Sequence, residues 1–176
     1  MQEHVILVDK DDQEIGQCEK IEAHEKALLH RAFSVFVFNT KGETLLHKRY
    51  SGKYHSGGLW TNACCGHPRP GEKIVAAAER RLNEEMGFTC PLKENFSITY
   101  NAPFDNGLTE HEYVHIVSGI YEGPIDPNPI EVEDYKWIHL EDIKKEVDNH
   151  APFTKWFEIY FTQHWERMNQ LLKDRK

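Results

Sequence analysis

The sequence predicts one α/β domain of the α+β kind, a mixed β-sheet packed between helices. Two patterns and a length carry that expectation. Runs rich in β-branched and aromatic residues recur between turn signals, as at 32–38 and 113–121. Between them, Ile74, Ala77, Ala78, Leu82 and Met86 form an apolar stripe at helical spacing. The 176 residues suit a single core, and no repeat, low-complexity tract or linker divides them. Residues 1–176 therefore read as one domain.

Taken in order, residues 5–8 and 15–18 form a hairpin around the polar turn at 9–12. A second hairpin pairs 32–38 with 45–49 across Asn39, Lys41 and Gly42. Residues 51–58 read as a loop. The clearest helix covers 72–86, with Gly87 where a C-terminal cap belongs. Strands follow at 96–100, 113–121 and 135–139, with a rigid turn at 126–129 around Pro127 and Pro129. A short helix at 141–147 precedes one long terminal helix at 153–172, with Trp156, Ile159, Tyr160 and Met168 on its inner face.

Composition narrows the partners. A net charge of -8 argues against general binding of nucleic acid or an anionic membrane, so an anionic ligand must be attracted locally by cations or by a metal. No apolar run approaches a membrane span, and residues 5–8 are too short for a signal-peptide core, so the cytoplasm is expected. Cys18, Cys64, Cys65 and Cys90 show no paired framework, which fits reduced thiols there. Eleven histidines in this length raise the expectation of a metal site.

Four groups of residues could carry chemistry. His24, His30, His67, Glu110 and Glu112 form a possible metal set. Glu110 and Glu112 share one face of a strand, while His111 and His115 fall on the other. Imidazoles with carboxylates suit Zn2+, Mn2+ or Fe2+. Taken alone, the same residues, being far apart in sequence, read more readily as surface histidines and a solvated acidic strand edge. Arg80, Arg81, Glu84 and Glu85 form a second group, whose i,i+4 pairs would also stabilise an exposed helix. Third, Lys48, Arg49 and Lys53, with Lys20 upstream, precede the stretch WTNACCGHP at 60–68. Arg49, Lys53 and Arg81 flanking one loop make a credible diphosphate grip in an acidic protein. Last, Cys65 reads either as a packed cysteine or as an acid, base or nucleophile, with an ordinary thiol pKa of about 8.5.

The spacing from Gly66 through Glu72 to Arg80, Arg81, Leu82, Glu84, Glu85 and Gly87 resembles the Nudix box, in which helical carboxylates hold a divalent cation against a diphosphate. Arg81 stands where a Nudix hydrolase has a glutamate, which speaks against hydrolysis, and its planar donors suit phosphate oxygens. With LHRAFS at 29–34, the cysteine stretch at 60–68 and Glu110-His111-Glu112, the chain from His24 to Trp156 closely resembles the type I isopentenyl-diphosphate Δ-isomerases, a divergent branch of the Nudix superfamily.

The resemblance implies interconversion of isopentenyl and dimethylallyl diphosphates through a carbocation. It makes Cys65 and Glu112 the catalytic pair, acting on opposite faces of the substrate, with Tyr100 beside Glu112. His24, His30, His67, Glu110 and Glu112 would hold one divalent ion (Mn2+, Zn2+ or Mg2+). Glu85 would hold a Mg2+ that arrives with the diphosphate. Lys20, Arg49, Lys53 and Arg81 would bind the diphosphate, and Trp156 would lie beside the hydrocarbon. One departure stands out: the His24–His30 interval is a residue shorter than in the family's best-known bacterial pattern. An ordinary Nudix hydrolase and a non-catalytic binding module are the competing readings. The protein is expected to act as a monomer or weak dimer on a small isoprenoid diphosphate.

Overall fold

The computed structural model describes residues 2–174. Strands β1 (His4–Val8) and β2 (Glu14–Glu19) form the first hairpin and lead into a short helix α1 (Lys20–Glu25). Strands β3 (His30–Phe38), β4 (Glu43–Arg49), β5 (Trp60–Asn62) and β6 (Cys64–Gly66) precede helix α2 (Ile74–Met86). Then come β7 (Leu92–Pro103), β8 (Thr109–Ile120), β9 (Val132–His139) and helices α3 (Leu140–Asp148), α4 (Lys155–Gln163) and α5 (Trp165–Lys173).

The strands form one mixed sheet centred on β3. β3 runs parallel to β8 from His30↔Glu112 to Phe38↔Ile120, and antiparallel to β6. β7 pairs with β8, and β9 with β4, both antiparallel. Because successive side chains of a strand point to opposite faces, β3 feeds two cores. Ala32, Phe36 and Phe38 pack with Trp156, Phe157 and Tyr160 of α4. Phe33, Val35 and Val37 pack with Ala77, Ala78 and Leu82 of α2. The expected mixed sheet between helices is therefore present.

Helix α2 buries the expected stripe of Ile74, Ala77, Ala78, Leu82 and Met86, and closes on Gly87 at φ 73. A Cβ there would come 2.2 Å from the Asp126 carbonyl oxygen, so glycine is required by contact as well as by conformation. The helix begins at Ile74 and not at Glu72, because Lys73 is extended (ψ 148) and the Glu72 carboxylate turns back to accept from the Arg69 N–H.

Four expectations need correction. The terminal helix is two helices: His164 (φ -130, ψ 27) breaks it, and the turn brings Met168 and Leu171 back onto the core. The cysteine stretch, to which no strand was assigned, forms β5 and β6. Helix α1 was missed, although the Glu19 carboxylate caps it by accepting from the Glu22 N–H at 2.9 Å. Strands β7, β8 and β9 begin earlier than expected, and β7 also ends later, because pairing continues through polar residues, as at Asn101↔His111 between β7 and β8 and Lys48↔Asp134 between β4 and β9.

Candidate active site

Sheet register assembles the site. His30 on β3 lies opposite Glu112 on β8, and Tyr100 on β7 lies opposite the same glutamate. An imidazole, a carboxylate and a phenol thus stand in one row on the α4 side of the sheet. On β6, Cys65 pairs with Ser34 and Cys64 with Val35. Alternation therefore sends Cys65 toward the row and Cys64 into the α2 core, which decides between two adjacent cysteines that composition cannot separate.

Ligand atoms of His24, His30, His67 and Glu112 all lie within 4.8 Å of one another, and all four residues are buried. His67 Nε2 is 2.9 Å from Glu112 Oε1 and 3.2 Å from His30 Nε2. The Nδ1 atoms of His24 and His30 lie 2.6 and 2.8 Å from the Lys20 and Leu28 carbonyls. Carbonyl acceptors there place the ring hydrogen on Nδ1 and leave each Nε2 lone pair free, as metal-ligating histidines require. His24 Nε2 is buried without a hydrogen-bond partner. A buried orphan acceptor beside two imidazoles and a carboxylate is what a divalent cation would satisfy. The last turn of α1 carries His24 into the group.

Burial lowers the pKa of His24 and takes that of His67 down to about 4, so both favour the neutral form that ligates. For Glu112, burial opposes charge but contacts to His30 and His67 outweigh it, holding the carboxyl well below the usual range. Glu110 lies beside the group and not in it. Its Oε2 accepts from the Tyr100 hydroxyl at 2.8 Å, and its Oε1 lies 3.2 Å from His55 Nε2.

Cys65 is half-buried at the cavity wall. Its thiol donates to Asn62 Oδ1 at 3.2 Å, and Ser34 Oγ, 2.7 Å from the Tyr160 hydroxyl, lies 3.3 Å away. Burial pushes the thiol up to about 12, well above the ordinary value expected from sequence. It is therefore a thiol, and not a thiolate, at neutral pH.

Cys65, Tyr100, Glu110, Glu112 and Trp156 face one cavity of about 950 Å³, which Lys20, Arg49, Lys53, Arg81 and Glu85 also line. Here the cations hold carboxylates. Lys20 pairs with Glu3 at 3.0 Å, Lys53 with Glu131, and Arg81 with Glu84 at 2.5 Å and with Glu85. Burial raises the Glu85 carboxyl, with the Arg81 charge opposing it. The Arg49 guanidinium lies 5.3 Å over the Trp156 ring, and its Nε has no hydrogen-bond partner. The Trp156 indole donates to Thr61 at 3.1 Å. Its ring thus faces a protein cation as well as the cavity.

Lys48 stays outside the site, 3.3 Å from Glu133. His111 and His115 do fall on the opposite face of β8, His111 beside the Ala27 carbonyl and His115 bridging Asp12 and Glu94. Sequence reasoning missed His55, Glu131, Ser34, Asn62 and Tyr160. Asn62 and Ser34 lay within quoted motifs, at 60–68 and 29–34, but neither motif gave them a role.

Comparison with known proteins adds to this geometry. The family model described as NUDIX domain matches residues 28–157. A protein of Burkholderia multivorans named isopentenyl-diphosphate Delta-isomerase is 51% identical, over 89% of this chain and 90% of its own. One of Photorhabdus laumondii, named isopentenyl-diphosphate Delta-isomerase 2, is 52% identical over 96% and 99%. Among solved structures, DR0079 of Deinococcus radiodurans superposes with a TM-score of 0.75 at 16% identity, covering 92% of this chain and 98% of that one. The MutT protein of Methanosarcina mazei follows the same fold with a TM-score of 0.63 at 18% identity, over 81% and 96%.

Proposed function

Because the chain belongs to the NUDIX family and, within it, to the isopentenyl-diphosphate Delta-isomerases, we propose that it interconverts isopentenyl and dimethylallyl diphosphates, with its own cavity residues in the following roles. The observation that carries the assignment of roles is a single cavity lined by both proton-transfer groups and cations. Cys65 and the Tyr100–Glu112 pair line it together with Arg49, Lys53 and Arg81, with arginine in place of the hydrolytic glutamate.

Isomerisation adds a proton to the terminal alkene carbon and removes one two carbons away, leaving a tertiary carbocation between the steps. The site then needs one proton donor, one acceptor and little water. Cys65 and Glu112 are the two groups, and reversal of the reaction exchanges their roles. Tyr100 holds Glu112 and carries a transferable hydrogen. Ser34 and Asn62 fix the thiol. Arg49, Lys53, Arg81 and Lys20 bind the diphosphate once its oxygens replace the carboxylates they hold in the free protein.

His24, His30, His67 and Glu112 hold a divalent ion, Mn2+, Zn2+ or Mg2+, with Glu110 adjusting beside it. Glu85 binds a Mg2+ accompanying the diphosphate. These ions supply positive charge that offsets the buried carboxylates and the phosphate oxygens. The protein acts in the cytoplasm as a monomer or weak dimer, which sedimentation would check. No helix among the described residues is long and apolar enough to cross a membrane.

The direct test is turnover of isopentenyl diphosphate by the purified protein, followed by NMR of the product. Formation of dimethylallyl diphosphate, lost on chelation and impaired in His67→Asn together with metal content, is the expected result. Phosphate release from nucleoside diphosphate derivatives without isomerisation would overturn it in favour of an ordinary Nudix hydrolase.

A further inference from the structure

Residues 50–59 join β4 to β5 and line the cavity through Lys53, Tyr54 and His55, and their most enclosed side chain has no role so far. His55 is only 7% exposed, although it sits in a loop flanked by Gly52, Gly57 and Gly58. Its ring stacks on Phe104 at 4.7 Å and 13°, and meets Trp156 edge-on at 5.7 Å. The Ser56 hydroxyl lies 3.1 Å from Nδ1. A hydroxyl donating there leaves the ring hydrogen on Nε2, which points at Glu110 Oε1 from 3.2 Å. With Tyr100 on Oε2, Glu110 is then held at both oxygens. The same loop is tied to a cavity cation: Arg49 Nη2 donates to the His55 carbonyl at 3.2 Å, and the Gly58 N–H to the Arg49 carbonyl at 2.9 Å.

We propose that His55 is a positioning residue that couples the cavity's cations to its carboxylates: it fixes Glu110 from the loop that carries Lys53 and is bonded to Arg49, so that gripping a diphosphate steadies the carboxylate beside the reacting alkene. Its kinetic consequence rests on the isomerase reading; its geometry does not. The ring contributes both stacking and a donor, and two substitutions separate them. H55Q keeps an N–H near Nε2 and loses the stack, whereas H55F keeps the stack and loses the donor.

In the metal-loaded enzyme, H55F should lower kcat by about 10- to 100-fold, the scale of an ångström-level misplacement, with KM and metal content within about threefold of wild type. H55Q should recover most of that loss. Equal impairment of both variants, a wild-type kcat in H55F, or a defect confined to KM would overturn the proposal. A second readout does not need turnover. Wild-type protein should show a slowly exchanging imidazole N–H resonance, absent from H55F, that shifts when inorganic pyrophosphate and Mg2+ are added. Its absence, or its indifference to pyrophosphate, refutes the coupling. Its presence in a protein that fails to isomerise would uphold the coupling and sink the isomerase reading instead.

Discussion

The Tyr100 hydroxyl lies 2.7 Å from Glu112 Oε2, on the neighbouring strand and in register with it. The same oxygen is 2.8 Å from Glu110 Oε2. One phenol carries one hydrogen, so two carboxylate contacts share a single donor unless a carboxyl carries a second proton. Burial and both glutamates hold the phenol pKa well above its ordinary value, so it remains protonated. Tyr100→Phe keeps the ring and removes that hydrogen. A hydrogen bond to a charged group contributes about 1.5–3 kcal/mol, so kcat should fall by about one to two decades while the protein stays folded. An unchanged kcat would show that the phenol only fills space.

The cavity's cations make paired predictions of opposite sign. Arg81→Ala removes a guanidinium that faces the cavity, and pyrophosphate binding should weaken by about one to two decades. Glu131 holds Lys53 and stands 3.7 Å from Arg81, so it competes with an incoming anion for both. Glu131→Gln should therefore tighten pyrophosphate binding. Calorimetry with pyrophosphate and Mg2+ reads both variants, and weaker binding in Glu131→Gln would mean that this carboxylate helps to hold the ion.

Much of this site was visible in the residues, and the reason is register. Period-two alternation placed Glu110 and Glu112 on one face of a strand and His111 and His115 on the other, as the structure has them. The α2 stripe and Gly87 followed from local spacing alone. Other features depend on contacts far apart in sequence. Ser34 reaches Tyr160 across 126 positions, and Lys53 reaches Glu131 across 78. No local pattern marks either pair. His55 sits in a glycine-rich segment that reads as a loop, and rings distant in sequence, Phe104 and Trp156, pack against it together with neighbouring Tyr54. The break at His164 has no proline or glycine to announce it.

His47 gives a stability prediction away from the cavity. It is buried on β4 with Nδ1 3.0 Å from the Ala63 carbonyl, and burial, helped by the Arg49 charge, takes its pKa down to about 3. The unfolded chain takes up this proton near pH 6.5, the folded one only near 3. Between those values the unfolded state binds more protons, so the contribution is full above the upper value and is lost as pH falls. The slope is up to about 1.4 kcal/mol per pH unit. His47→Asn keeps a donor for Ala63 without the titration. It should be less stable at pH 7.5 but lose stability less steeply between pH 6 and 4. Urea unfolding across that range, at fixed metal concentration, checks this, and parallel curves would refute it.

The sharpest test concerns Cys65 and Glu112. Both face one cavity, but their surroundings differ: the thiol is held by Ser34 and Asn62, the carboxylate by His30, His67 and Tyr100. Substitutions should therefore fail in distinguishable ways. Cys65→Ser keeps a group of similar shape that can still bond Ser34 and Asn62, so folding, metal content and pyrophosphate binding should persist. It replaces the thiol by a much weaker acid, and isomerisation should drop by about 10²- to 10⁴-fold, the usual contribution of a proton-transfer group. Glu112→Gln keeps the volume but removes a metal-ligating charge, so activity and metal content should fall together. In D₂O the wild-type enzyme should add deuterium at one carbon of the substrate and wash hydrogen from the other, and neither single variant should exchange at both. Near-normal turnover by Cys65→Ala, with proton loss still stereospecific, would leave Cys65 a packing residue and Glu112 the sole proton-transfer group.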